Sequence, residues 1–207
     1  MNTDISMEKF NPEKHDSYLV AGLIYTVDPE LNEMVFGSRA AGMAAIKKML
    51  RLDYNYFSYP HVNCAVCNGE VAGVLVGFEG KEKQGLEKAS AKAFIRALGI
   101  CTFLKRLPTL MRMANLTWKK IDGDGYLVSI LCVAPSYRSQ GIGTHIMETV
   151  FEKYNKAYLE VNIKNNRARK FYERLGFQVQ SKNTINYKGK QVGTYSLKKF
   201  RDTMKIL

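Results

Sequence analysis

Residues 126–177 read YLVSILCVAPSYRSQGIGTHIMETVFEKYNKAYLEVNIKNNRARKFYERLGF, in the order strand, turn, helix, strand, helix. The apolar run Tyr126–Val133 predicts a central strand buried on both faces, and Pro135 ends it because proline cannot continue a hydrogen-bonded ladder. Residues 144–154 place apolar side chains at helical spacing. Two strands joined through a helix must pair in parallel, with a right-handed crossover.

The rest of the chain predicts further strands and helices around this unit. Apolar, β-branched and aromatic runs predict strands at 18–27, 61–67, 70–78, 177–181 and 191–200. Helical spacing predicts helices at 38–52, with Ser38 as its cap, and at 86–97 and 103–115. The turn residues Asn68-Gly69 predict a hairpin between two of the strands. We therefore expect an α/β protein with a mixed sheet, and a length of 207 residues predicts a single domain, 1–207.

The net charge of +12, from 31 basic and 19 acidic residues, favours an anionic partner but does not identify which one. Nucleic acid, an anionic membrane surface and an anionic cofactor such as a polyphosphate nucleotide all remain open. Many basic residues fall within 81–120, where they form either a solvated helical face or a specificity element. No segment approaches the roughly 18 apolar residues that span a bilayer, so no membrane partner is expected. Residues 1–16 lack the apolar core of a signal peptide, so we expect a cytoplasmic protein.

The cysteines have either a chemical role or a structural role in the core. Cys64 and Cys67 form a C-x-x-C, which can be a redox or zinc motif, but no second pair stands at zinc spacing. Both lie in a predicted strand, where residues three apart point to opposite faces. We interpret them as structural thiols and expect no metal.

The turn after the central strand predicts an anion site. Two glycines, Gly141 and Gly143, let the backbone turn tightly and expose its N–H groups, and the helix that follows adds the positive end of its dipole. Such a turn suits a pyrophosphate, and Arg138 adds positive charge. Thr144-His145 after the last glycine excludes a Walker loop, and Met147 near the place of a third glycine excludes a Rossmann fingerprint.

The pattern that fits, R/Q-x-x-G-x-G/A, resembles the coenzyme A loop of the GNAT N-acetyltransferase superfamily. Residues 159–177, LEVNIKNNRARKFYERLGF, resemble the second signature of that family, and the two motifs stand in the right order. The resemblance covers about 125–181, and the first half of the chain looks like uncharacterised bacterial members. It implies the GNAT fold: a mixed central sheet of about six or seven strands, flanked by helices, with splayed parallel central strands. It also implies acetyl-CoA (coenzyme A) as co-substrate and direct attack by a primary amine without a metal.

The resemblance further implies which residues bind coenzyme A. The strand before the turn pairs with pantetheine through its backbone, and the turn holds the pyrophosphate. Asn165 can cap its helix and also support the cofactor. The implied set is Leu131, Cys132, Val133, Arg138, Ser139, Gln140, Gly141, Ile142, Gly143, Thr144 and Asn165.

Two residues are candidates for proton transfer. Glu160 shares a polar strand face with Tyr158 and Asn162, which predicts a cleft beside the strand. It is either the general base or a solvent-facing carboxylate. Tyr172 lies on the apolar face of its helix and would otherwise be a core aromatic, but the resemblance implies that it protonates the leaving thiolate. With an ordinary pKa near 10, a tyrosine is protonated at neutral pH.

Several hypotheses about the function remain open from the sequence. A non-catalytic acyl-coenzyme A sensor would have the same fold, and a basic nucleic-acid-binding protein would have the same charge, although no nucleic-acid motif is present. The acceptor would be a small-molecule or peptide amine. The basic helical insertion at about 81–120 would cover the acceptor or form a homodimer face, and its charge favours an acceptor with acidic groups.

Overall fold

The computed structural model describes residues 5–201, which form a seven-stranded sheet with helices on both faces. The strands are β1 (Ile5–Lys9), β2 (Val62–Cys67), β3 (Glu70–Glu79), β4 (Tyr126–Val133), β5 (Lys156–Asn162), β6 (Gln178–Tyr187) and β7 (Lys190–Phe200). The helices are α1 (Ser17–Thr26), α2 (Pro29–Phe36), α3 (Arg39–Met49), α4 (Lys83–Leu98), α5 (Ile100–Met113), α6 (Ile142–Lys153) and α7 (Asn166–Arg174).

The strand order across the sheet is β1-β2-β3-β4-β5-β7-β6. Within residues 5–201, β4 and β5 pair in parallel, and the other neighbouring strands pair antiparallel. The predicted mixed sheet with one parallel crossover is therefore confirmed. The hairpin at Asn68-Gly69 is confirmed as well, since both residues have positive φ angles, 51° and 82°.

Each face of the sheet carries its own apolar core. On one face, Val20 and Ile24 of α1 and Ile46 of α3 pack against inward side chains of β2 and β3. On the other face, Ile146 of α6 and Tyr172 of α7 pack against β5 and its neighbours. The sheet thus separates α1 and α3 from α6 and α7, and any opening through it connects the two sides.

Such an opening lies between β4 and β5. The two strands pair only from Tyr126–Val128 on β4 to Ala157–Leu159 on β5. At the next residue, Ser129, β4 carries a bulge, because Val76 and Gly77 of β3 are opposite Ile130 and Val128 and leave Ser129 without a partner. A bulge bends its strand, and from this point β4 stays with β3 while β5 stays with β7. The predicted splay of the parallel strands is confirmed, whereas burial on both faces of β4 stops at Val128.

The predicted first strand at 18–27 is wrong, because this segment is the helix α1. Its β-branched and aromatic residues favoured a strand, but Val20, Ala21 and Ile24 also fit one face of a helix, and all three are buried. The side chain of Asp16 accepts a hydrogen bond from the N–H of Tyr18 over 2.7 Å and caps the helix. Burial of this face against α3 and the sheet overrides the strand propensity.

Two further elements were not predicted. β1 lies at the sheet edge within the polar start of the chain, and α2 begins directly after α1. The signal for α2 is present in the sequence: Asp28 caps it by accepting from the N–H of Leu31 over 3.0 Å, and Pro29 occupies the first turn.

The C-x-x-C pair lies on β2 with its two thiols on opposite faces, as predicted. Cys64 packs in the core beside α1 and α3, and Cys67 packs in the core beside α6. Both are buried, and burial raises the pKa of Cys64 to about 12. A pair separated by the sheet cannot share a metal ion or close a disulfide without rearrangement.

The predicted helices in 81–120 are confirmed as α4 and α5. The basic side chains of Lys88, Lys92, Arg96 and Lys105 are exposed, as in the first of the two alternatives, a solvated helical face. Among the helices between residues 5 and 201, none is long and apolar enough to cross a lipid bilayer.

Candidate active site

A cavity of about 1330 Å³ lies in the opening between β4 and β5. Its walls come from the loop before α6, the free part of β4, the end of β5, α7, and the α1–α2, α4 and α5 side of the sheet. It brings together most of the predicted site residues: Leu131, Cys132, Val133, Arg138, Ser139, Gly141, Ile142, Gly143, Thr144, Glu160, Asn165 and Tyr172. The exception is Gln140, whose side chain instead donates to the carbonyl of Ser136 over 3.0 Å.

The loop before α6 has the backbone that an anion site requires. Ser139 and Gly141 have φ angles of 64° and 82°, so the chain turns sharply before α6 begins at Ile142. At Gly143 an added Cβ would lie 3.2 Å from the ring of Phe171, so a larger residue would be crowded by α7. The first N–H groups of α6 have no partner within the helix and face this end of the cavity.

Main-chain groups of β4 form the wall next to this loop. The N–H of Ala134 donates to the carbonyl of Ala72 on β3, and the groups of successive residues in a strand point to alternate edges. The peptide groups of Leu131 and Val133 therefore face the opening, whereas those of Cys132 face β3. Arg138 already reaches this edge, since its Nε donates to the carbonyl of Val133 over 3.1 Å.

Glu160 lies on the β5 wall, on the side of the sheet that carries α4. Its Oε1 accepts a hydrogen bond from the backbone N–H of Trp118 over 2.7 Å. Trp118 is itself held in place, because its indole N–H donates to the carbonyl of Leu159 over 3.0 Å. Burial raises the pKa of Glu160 to about 7, with the Trp118 hydrogen bond and the charge of Lys83 acting in the opposite direction. Near neutral pH this carboxyl can both accept and release a proton.

Tyr172 lies on the α7 wall, with 7% of its surface exposed. Its ring meets the rings of Phe171 and Phe177 edge-on, which fixes its direction. Burial, followed by the nearby thiol of Cys132, raises the pKa of Tyr172 further above its ordinary value, so the hydroxyl stays protonated. Among residues 5–201 this hydroxyl has no hydrogen-bond partner.

Asn165 positions α7, as predicted for a helix cap. Its side-chain oxygen accepts from the N–H of Ala168 over 3.0 Å, at the N-terminus of the helix that carries Tyr172. The asparagine also lines the cavity, so the cap and a ligand contact are compatible.

Three contributors to the cavity were not among the predicted site residues. Trp118 is the first, and its backbone N–H donates to Glu160. Arg167 lines the anion end, 3.5 Å from the hydroxyl of Ser139, and could have been noticed inside the second motif. Asp28 accepts a hydrogen bond from the side chain of Asn162 over 2.7 Å and ties α2 to the end of β5. All three contacts join residues that are far apart in the sequence, which no local pattern indicates.

The described part of the chain contains no preformed metal site. No group of three or more His, Cys, Asp or Glu side chains between residues 5 and 201 is arranged to hold a metal ion.

Comparison with known proteins agrees with this geometry. Residues 112–179 match the family model of the acetyltransferase (GNAT) domain. An N-acetyltransferase from Staphylococcus aureus has a similar structure, with a TM-score of 0.68 and 22% identity over 93% of this chain and 99% of that one. No curated protein sequence matches the chain.

Two more distant structures share the fold at lower identity. One, named histone acetyltransferase HPA2 and related acetyltransferase, from Corynebacterium glutamicum, has a TM-score of 0.61 and 13% identity over 98% of this chain and 99% of that one. A GNAT family acetyltransferase from Elizabethkingia anophelis, with acetyl-CoA bound, has a TM-score of 0.51 and 14% identity over 95% and 97%. Residues 112–179 thus resemble the GNAT acetyltransferase domain, and the chain has the fold of the GNAT superfamily.

Proposed function

We propose that this protein is an acetyl-CoA-dependent N-acetyltransferase that transfers the acetyl group to a primary amine by direct attack. One observation carries the proposal. A single cavity joins the anion-binding loop, the free edge of β4, and two groups suited to proton transfer, Glu160 and Tyr172. The Elizabethkingia structure of the same fold holds acetyl-CoA, which supports the choice of co-substrate.

In this proposal the cofactor end of the cavity holds coenzyme A through the chain's main-chain groups. The N–H groups at the start of α6, around Gly141 and Gly143, bind the pyrophosphate, and Arg138 and Arg167 add positive charge. The peptide groups of Leu131 and the N–H of Val133, which face the opening, pair with the pantetheine arm as an added strand would, while the carbonyl of Val133 accepts from Arg138. Asn165 caps the start of α7.

The chemistry then uses the two sides of the opening. Glu160, with its pKa raised to about 7, takes a proton from the acceptor ammonium. The neutral nitrogen attacks the thioester carbonyl carbon, the N–C bond forms, and the C–S bond breaks. Tyr172 gives its proton to the departing thiolate and takes up the proton that the new amide nitrogen releases. Glu160 then passes the proton from the ammonium to water. An N–H at the free edge of β4 polarises the carbonyl during the attack.

For the domain organisation, we propose one GNAT domain over 1–207 in which 81–120 is an insertion that covers the acceptor end. Supporting this, α4, α5 and the segment up to Lys119 contribute to the cavity wall opposite the anion-binding loop. The insertion would therefore act on the acceptor and leave coenzyme A binding unchanged.

The decisive experiment measures release of free coenzyme A thiol from acetyl-CoA with a panel of primary amines and peptides. Amine-dependent thiol release, with a matching N-acetyl product in the mass spectrum, is expected. Tight binding of acetyl-CoA without release on any amine would instead identify a non-catalytic sensor. Absence of coenzyme A binding, together with nucleic-acid binding of steep salt dependence, would reject the proposal.

A further inference from the structure

The acceptor end of the cavity has an apolar wall. Six side chains from α4 and α5 form it: Phe94, Phe103, Leu107, Leu110, Met111 and Met113. Phe94, Leu110 and Met113 are partly buried against the core beneath, so they are fixed in place. A ligand that fills this arm meets mainly hydrocarbon.

The outer part of this wall is open to solvent. Leu107 and Met111 line the cavity, yet 37% and 67% of their surfaces are exposed. No residue of α5 is buried, although an amphipathic helix usually covers its apolar stripe. The uncovered part of the stripe that faces the cavity lies where the body of an acceptor would sit.

The apolar wall leads directly to the proposed catalytic base. The chain leaves α5 at Met113 and reaches Trp118, whose N–H binds Glu160, within a short segment. This segment is anchored to the sheet, because the hydroxyl of Thr194 on β7 donates to the carbonyl of Leu116. An amine nitrogen beside Glu160 would therefore carry its substituents along α5.

Charge at this end suits an ammonium better than an acidic ligand. The carboxyl groups of Glu160 and Asp28 line it, and Lys83, which lines it as well, forms an ion pair with Glu87. Lys119, which also lines it, is hydrogen-bonded to Ala114 and Asn115. Most of the basic residues that suggested an acidic acceptor do not line the cavity: Lys81, Lys88, Lys92, Arg96, Lys105, Arg106, Arg112 and Lys120.

We infer that the acceptor is a primary amine attached to a bulky apolar group, in a small molecule or at the N-terminus of a peptide. The inference rests on the proposed N-acetyltransferase function and names its substrate class. The ammonium lies beside Glu160, and the apolar group covers Leu107 and Met111.

The test compares amines that differ in apolar bulk. Thiol release from acetyl-CoA is measured with hexylamine and 2-phenylethylamine against ethanolamine and spermidine. A second arm uses peptides that begin with Leu or Phe against the same peptides beginning with Ser or Asp, and it separates the two sources of the amine. In at least one arm kcat/KM is expected to be at least about tenfold higher for the apolar member, since several buried methylene groups separate the pairs.

Matched variants tie the preference to this wall. The double variant Leu107→Gln/Met111→Gln should raise KM for the preferred apolar amine by about tenfold while leaving KM for acetyl-CoA unchanged. Ile100→Gln/Leu104→Gln is the control, because these side chains are 52% and 57% exposed on the same helix and do not line the cavity. Thermal unfolding of both double variants checks that the fold is kept.

The outcomes separate this inference from the proposed function. Turnover that prefers ethanolamine, spermidine or the polar peptides, or equal effects of the two double variants, would overturn the acceptor class alone. Coenzyme A binding without turnover on any apolar amine would overturn it as well. A chain that neither binds coenzyme A nor releases thiol with any amine would overturn the proposed function, and the inference with it.

Discussion

The backbone N–H of Trp118 donates to Oε1 of Glu160 over 2.7 Å, across 42 residues of sequence. The bond stabilises the ionised carboxylate, whereas burial favours the protonated acid, and together they leave the pKa at about 7. The segment after α5 therefore tunes a group on β5. Since the same segment borders the acceptor end, acceptor binding and the acidity of Glu160 are physically connected.

The first prediction concerns the pH dependence of turnover. With Glu160 as the base, kcat/KM for the amine should rise with pH through an apparent pKa of about 7, because only the carboxylate can accept the proton. Glu160→Gln should lower kcat by about 100-fold or more and remove this acidic limb. Initial rates between pH 5.5 and 9 check both. An unchanged limb in the variant would assign it to another group, such as the amine itself.

The second prediction concerns stability. The Glu160 carboxyl has an ordinary pKa of 4.5 when solvated and about 7 in the fold, so the folded state holds this proton more tightly. The free energy of unfolding therefore falls as pH rises through this window. Relative to Glu160→Gln, which does not titrate, the wild type should lose stability between about pH 4.5 and 7 and stay constant above. Urea denaturation of both proteins at pH 5 and pH 8 measures the difference, and equal pH responses would contradict the raised pKa.

The third prediction concerns the leaving thiolate. Tyr172→Phe keeps the ring between Phe171 and Phe177 and removes only the hydroxyl, so the fold should be retained. We expect kcat to fall by about 100-fold with little change in KM for acetyl-CoA, because the lost interaction acts on the transition state. Steady-state thiol release checks this. Wild-type kcat in the variant would leave Tyr172 as a core aromatic only.

The fourth prediction concerns the anion-binding loop. Gly141→Ala forces a side chain into a backbone with φ of 82°, at a cost of about 1 kcal/mol, and disturbs the N–H groups at the start of α6. KM for acetyl-CoA should rise by about tenfold. Gly189→Ala is the matched control, since Gly189 has φ of 76° in the β6–β7 turn, outside the cavity. Similar losses of stability but different KM values are expected, whereas equal KM values would mean that the loop does not bind the cofactor.

The part of the fold that was predictable is the part with strong local signals. Pro135 ends β4, Asn165 caps α7, and Asn68-Gly69 forms a hairpin turn, because each acts on its own backbone or on neighbours a few residues away. The prediction of a strand at 18–27 was wrong for the opposite reason. Its strand-forming side chains are outweighed by a cap at Asp16 and by packing against α3, and the packing is a tertiary contact.

The same limit applies to the site. Glu160 stands out in the sequence as a carboxylate on the polar face of its strand, and Tyr172 stands out through the motif around it. Trp118, the hydrogen-bond partner of Glu160, does not stand out in the sequence, because the contact exists only after α5 has packed over the sheet. The directions in which the basic side chains of 81–120 point are known only once the helices have packed. The net charge counts these side chains but does not say which of them face the cavity.

The bulge at Ser129 has a consequence for how this protein can change over evolutionary time. The opening depends on one unpaired residue in the β4 backbone. What matters is the number of residues between two paired positions of the strand, and not the chemistry of their side chains. Replacing side chains around it alters what enters the opening, while loss of that single residue would let β4 run straight and close it. An entrance set by the number of residues in a strand does not require particular side chains around it.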